Sequence, residues 1–290
     1  MPIFDRYIAV DWSANNGPKT GKDSIWIAER GPKGDAPSLN PRTRSTAVAH
    51  IMERLDAAVE AGQRTFVGFD FPFGYPLGAA SRIAGDANWS ALWAAIDQEI
   101  VDDDRNRSNR FLVASMFNAR LGQNGPRFWG CPASARTDQL STHKIGACFS
   151  DVAEFRTVER VARGAKSTWQ LFYNGSVGSQ CLLGLPQVQR LRSRFAGKVA
   201  IWPFETDFER SIDASIVIGE IYPSLDSYDQ SVLPKDRAQM EAQVRRFSAL
   251  DDAGLFGKAL SLPDDFFDQR ASLLAEEGWI VGAGHKGLSA

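Results

Sequence analysis

Three short apolar runs in this chain each end in an acid, and no other feature constrains the fold as strongly. Asp11 follows Ile8-Ala9-Val10, Asp70 follows Phe66-Val67-Gly68-Phe69, and Glu220 follows Ile216-Val217-Ile218-Gly219. Runs this short, rich in β-branched and aromatic residues, read as buried strands. An unpaired carboxylate in such a place costs several kcal/mol or takes up a proton. Acids kept at three strand ends therefore ask for a partner, and neighbouring parallel strands would bring them within reach of one divalent cation. Mg²⁺ suits such a site because it takes oxygen ligands while keeping several waters. Each acid also has a structural alternative: a turn-starting hydrogen bond for Asp11, an Asx-type turn before Phe71-Pro72 for Asp70, and an arginine partner for Glu220.

The order of elements supports an α/β fold. Tyr7 to Trp12 and Ser24 to Glu29 read as a β-hairpin, with a short edge strand expected near Ser38. A helix follows, capped by Ser45, with Val48, Ile51, Met52, Leu55 and Val59 at helical spacing and Gly62 as its stop. Thr65 to Pro76 is the next strand, broken by Pro72. Asp86 begins a helix bearing Trp89, Leu92, Trp93, Ile96 and Ile100. From Asp102 to Asp151 the chain reads as loops with short helices, then helical again over Val152 to Ala162 and over Gln187 to Phe195. Val199 to Glu205 and Ser215 to Ser224 are strands, Asp236 to Ala253 a long helix, and Phe266 to Glu277 a last one. Asp236 stands three residues before Gln239, which fits an N-cap, but it also shares a helical face with Met240, Val244, Phe247 and Asp251. Asp236, Asp251 and Asp252 are thus rivals for a fourth ligand.

The motifs AVDWSA, SIWIAE, GFDFPFGYP and EIYPS, in that order, resemble a DUF429-type family of predicted ribonuclease H-like nucleases. That resemblance implies a mixed five-stranded sheet flanked by helices, with a large helical and loop insertion. It also implies metal-bound, catalytic carboxylates at Asp11, Asp70, Glu220 and an acid on the last long helix, taken as Asp236, with Mg²⁺ or Mn²⁺ as cofactor. Some relatives carry a label referring to molybdopterin guanine dinucleotide synthesis. The expected organisation is one ribonuclease H-like domain over 1–290, with a core of 1–76 and 198–290 and an insertion over 77–197. No acid stands on the apolar face of the first helix, where Glu53 and Asp56 flank the stripe.

Net charge is −2, yet from Arg105 to Ala200 there are 15 Lys and Arg against 4 Asp and Glu. A basic middle in an acidic frame suits a site that joins metal-binding carboxylates to a phosphate-attracting surface. Within it, Gly175 and Gly178 of GSVGSQ can offer backbone N–H groups to a phosphate, with Lys166, Arg160 and Arg163 nearby. Trp129, Trp169, Phe172 and Tyr173 are candidates for base stacking. His143 is a candidate acid or base. The expected partner is a nucleic acid or a nucleotide-like phosphorylated substrate.

Other classes are disfavoured. Cys131, Cys148 and Cys181 are odd in number and far apart, so no disulfide framework or C-x-x-C pair exists. The first residues lack a signal-peptide pattern and no run approaches eighteen apolar residues, which points to a cytoplasmic protein. Serine-hydrolase chemistry lacks its G-x-S-x-G elbow, and His50, His143 and His285 have no assignable triad partners. The leading expectation is a metal-dependent phosphodiester hydrolase. The rivals are an actin-like nucleotide-dependent phosphotransferase or ATPase, a non-catalytic ribonuclease H-like module, and a role in molybdopterin guanine dinucleotide synthesis.

Overall fold

The computed structural model describes residues 1–122, 125–146, 149, 151–209 and 212–288. Its centre is a mixed sheet of six strands in the order β3-β2-β1-β4-β6-β5. These are β1 (Arg6–Asp11), β2 (Trp26–Gly31), β3 (Gly34–Asp35), β4 (Thr65–Phe69), β5 (Val199–Ile201) and β6 (Ile216–Glu220). The β1–β2 and β2–β3 pairs are antiparallel, while β1–β4, β4–β6 and β5–β6 are parallel. The sheet therefore has six strands where five were expected. The chain leaves for the edge as β5, then returns to insert β6 between β5 and β4.

Strand periodicity sends alternate residues to opposite faces, and two separate cores result. Ile8, Val10, Val67, Phe69, Ile216 and Ile218 look toward one face, covered by α1 (Arg44–Glu60) and by segments between β4 and β5. The latter are α2 (Ala79–Ala84), α3 (Trp89–Glu99), α4 (Arg110–Leu121) and α6 (Gly178–Arg194), whereas α5 (Thr157–Val161) buries Val158 in the opposite core. Tyr7, Ala9, Phe66 and Val217 look the other way, toward α7 (Lys235–Asp252) and α8 (Phe256–Ala259). Helices thus flank the sheet on both faces.

Several local expectations shift. Thr43 rather than Ser45 caps α1, with Thr46 answering in a capping box. Asn88 rather than Asp86 caps α3. Helix α6 starts nine residues before Gln187 and runs through Pro186, all but its last turns being buried. The 152–162 helix shrinks to α5, and 264–277 divides into short turns of different pitch. The edge strand falls at Gly34–Asp35, and Leu39 makes one bridge to Ile27. Cys131 and Cys181 are buried free thiols, and Cys148 lies outside the described residues. Among the described residues no helix is long and apolar enough to cross a membrane.

Candidate active site

Register brings Asp11 and Asp70 together. Val10 pairs with Phe69 across the parallel β1–β4 ladder, and the Asp70 N–H continues it by donating to the Val10 carbonyl at 3.1 Å. Each acid follows its partner of that pair by one residue, so both side chains point to the α7 face from adjacent strand ends. Their carboxyl groups lie within hydrogen-bonding reach of each other. Asp70 Oδ1 also accepts the Trp12 N–H at 2.7 Å, a contact between neighbouring strand ends that fixes its rotamer. The Asx-type turn foreseen before Phe71-Pro72 is a different contact, because the partner here is the backbone beside Asp11 at the neighbouring strand end.

Burial and mutual repulsion both disfavour two charges here, and among the described residues no Lys or Arg forms an ion pair with either acid. Burial and the neighbouring Asp70 hold Asp11 well above the usual carboxylate range, with Asp236 and Asp23 adding to the effect. Burial pushes Asp70 up to about 6. A carboxyl group with a raised folded-state value stabilises the fold below its unfolded value and loses that contribution as pH rises through the folded one. Without metal, the native protein should therefore lose stability relative to Asp70→Asn as pH climbs from about 4 to above 6, by about 1 to 3 kcal/mol. Paired thermal melts in EDTA across that range measure the difference; a gap that does not change with pH would refute the paired-carboxyl description.

Asp236 acts on the pair through its charge from the first turn of α7. The cap is Pro234, not Asp236, whose Oδ2 accepts the Asp23 N–H at 2.8 Å. Asp11, Asp70, Asp236 and Asp23 line one cavity of about 730 Å³, together with Lys19, Arg110, Lys166, Phe172, Tyr173 and Gly175. The rivals of Asp236 lie elsewhere. Asp251 accepts the Ile3 and Phe4 N–H groups and the Tyr7 hydroxyl, at 2.6 to 2.9 Å, and so anchors the chain start beneath the sheet. Asp252 is exposed at the far end of α7.

Glu220 does not join the other acids. It pairs in register with Phe69, not with Asp70, and therefore faces the opposite side of the sheet. There its Oε1 takes Arg156 Nη2 at 2.6 Å, and its Oε2 takes Arg156 Nη1 at 2.8 Å and the Phe73 N–H at 2.9 Å. The same guanidinium donates to Glu159 Oε1 at 2.9 Å and to the Glu277 carbonyl at 2.8 Å. Burial pushes Glu159 up to about 7, against the pull of Arg156. Both oxygens of Glu220 are committed to this internal ion cluster, as the arginine-partner alternative expected.

The substrate residues divide as well. Lys166 and Gly175 line the cavity, whereas Arg160 and Arg163 are exposed away from it. Gly178 is buried, and its N–H donates to the Gln170 carbonyl at 2.8 Å, so it is not free for a phosphate. A Cβ there would collide with the Thr168 and Gln170 carbonyls, which explains the glycine by close backbone approach. Trp169 is core, packed on Tyr75 and Phe128, and Trp129 packs partly buried against the same cluster. Phe172 and Tyr173 are exposed at the cavity, and His143 stacks on Tyr173 at its rim with ring centroids 6.0 Å apart.

Two supports carried no signal in the sequence. Buried Arg44 holds the loop after Asp11 by donating to the Ser13 and Asn15 carbonyls, both at 3.0 Å, and pairs with Asp102 at 2.5 Å. Gln180 Nε2 reaches from α6 to the Trp12 carbonyl at 2.5 Å. Only contacts across more than 25 residues of chain define these roles.

The donor set fits a hard divalent cation that keeps water ligands. Two carboxylates lacking a cationic partner, with a third nearby, supply the oxygens and charge that Mg²⁺ or Mn²⁺ favours. Among the described residues no group of three or more His, Cys, Asp and Glu is close enough to enclose a metal ion. No family model, curated protein or solved structure matches the chain.

Proposed function

We propose that the protein is a ribonuclease H-like, Mg²⁺- or Mn²⁺-dependent hydrolase acting on phosphodiester bonds of a nucleic acid or nucleotide-like substrate in the cytoplasm. One observation carries this reading: Asp11 and Asp70 meet at the ends of adjacent parallel strands, inside a cavity that also presents Arg110 and Lys166. Crevices beyond the carboxyl ends of parallel strands are where ligands of open α/β sheets bind. Bound there, the metal would orient an attacking water and stabilise charge on the leaving oxygen.

The chain's own residues have separable tasks in this scheme. Asp11 and Asp70 hold the cation, Asp236 adds negative charge from the α7 side, and the Trp12 N–H and Gln180 keep the strand ends rigid. Lys166 and Lys19 balance substrate phosphate charge at the mouth. The test is incubation with Mg²⁺ or Mn²⁺ and pooled single-stranded and duplex DNA and RNA, with a chromogenic phosphodiester in parallel. Cleavage that depends on metal and stops with EDTA is expected. No cleavage, together with no Mn²⁺ binding by calorimetry at millimolar metal, would overturn the proposal.

A further inference from the structure

Arg110 is the first residue of α4 and only 7% exposed, a position where a cation normally needs a counter-charge. It has none among the described residues. The acid whose charge acts on it, Asp102, is already bound by Arg44. Its contacts are neutral: Nε donates to Ser179 Oγ at 3.1 Å, Nη1 to Ser108 Oγ at 2.9 Å, and the Phe111 ring lies 4.5 Å from Cζ. Among the described residues Nη2 has no partner. These contacts aim the guanidinium without neutralising it, and burial pushes its pKa down to about 10.

The group lines the same cavity as the acid pair. Consecutive residues of α6 connect the two, Ser179 holding Arg110 and Gln180 holding the Trp12 carbonyl beside Asp11. The positive end of the α6 dipole lies at this point and adds to the attraction for an anion. Beyond Arg110, Phe172 and Tyr173 line the cavity at 40% and 45% exposure. Phe172 packs edge-on against Phe111, and Tyr173 is held at φ +79°, a conformation that side chains other than glycine rarely adopt. Non-glycine residues held in such sparsely populated conformations cluster at binding sites.

We propose that Arg110 is the phosphate receptor of this cavity and that its ligand is a single nucleotide unit, whose phosphate takes the guanidinium fork and whose base lies on Phe172 and Tyr173. An arginine fork matches phosphate oxygens in pairs, and an exposed ring offers a stacking platform for any base. A cavity of about 730 Å³ holds one or two nucleotides. A duplex would have to release a base to use it. The inference deepens the hydrolase reading by naming the substrate class, but phosphate binding does not depend on hydrolysis.

The experiment is calorimetric titration in EDTA with AMP, adenosine, inorganic phosphate, a short single-stranded oligonucleotide and the corresponding duplex. The native protein should bind AMP more tightly than phosphate and should not bind adenosine measurably. Arg110→Gln should weaken AMP about 10- to 100-fold. Joint replacement of Phe172 and Tyr173 by alanine should weaken AMP about 10-fold while leaving phosphate unchanged. Oligonucleotide binding that matches AMP per site identifies a strand as the source, and binding of AMP alone a free nucleotide. Absence of AMP binding at millimolar concentration, or an Arg110→Gln affinity within twofold of native, would overturn the inference. If the Gln variant does not fold, Arg110→Lys decides, because it keeps the charge and loses the fork: an unchanged affinity refutes the role. AMP binding by a protein that neither cleaves the pooled phosphodiesters with metal nor binds Mn²⁺ leaves this inference standing and sinks the hydrolase, whereas metal-dependent cleavage with Arg110-independent AMP affinity does the reverse.

Discussion

Asp11→Asn is expected to lower metal-dependent phosphodiester cleavage on the order of 1,000-fold or more, since the cation supplies several kcal/mol of transition-state stabilisation. The amide keeps the size of the carboxyl and can still hydrogen-bond Asp70, so the strand ends should stay in register. What it removes is one of the two charges that attract the metal. A second readout follows from linkage. Millimolar Mn²⁺ should raise the melting temperature of the native protein, because a ligand that binds only the folded state stabilises it by mass action. It should leave Asp11→Asn almost unmoved. The same metal should bind native protein more weakly at pH 5 than at pH 8, because protons compete for a pair whose affinity for them is raised. Cleavage by Asp11→Asn within tenfold of native would remove the pair from the chemistry.

The largest effect on stability is expected at Arg156. Its guanidinium reaches Glu159, both oxygens of Glu220 and the Glu277 carbonyl, all buried, and so fastens α5 and the 273–277 turn to the end of β6. Arg156→Met would leave Glu220 without its cation in a dry site, at a cost of about 3 to 5 kcal/mol. For a chain of this size that corresponds to roughly 10 °C in melting temperature. Glu220→Gln should cost less, and the two changes together should cost less than their sum, because each removes the other's unpaired charge. The Gln variant also separates structure from chemistry: Mn²⁺ affinity should stay within twofold of native. A large loss of metal affinity with little loss of stability would return Glu220 to the ligand set.

The contrast between Asp70 and Glu220 shows where sequence reading stops. Both end an apolar run, both lie in adjacent parallel strands, and the strand pattern found both. Facing depends on parity, and parity depends on which residue pairs with which. The register sets Glu220 opposite Phe69, one step short of Asp70, and one step in a strand is a change of face. Likewise the basic middle was visible as composition, but its arginines became different objects on folding. Arg156 and Arg127 turned inward to acids, Arg160 and Arg163 stayed in solvent, and Arg110 was left charged at a cavity wall.

What the sequence alone determined was local: the hairpin, the helix after it, the strands that end in acids, and the long α7 whose first turn carries Asp236. Each of these rests on periodicity and capping, which act over a few residues. Only the tertiary structure decided which acids meet, that the sheet has six strands, that Glu220 belongs to an ion cluster, and that Arg44 and Gln180 hold the loop beside Asp11. Those outcomes depend on register and on contacts between segments far apart in the chain, and short-range patterns carry no information about either.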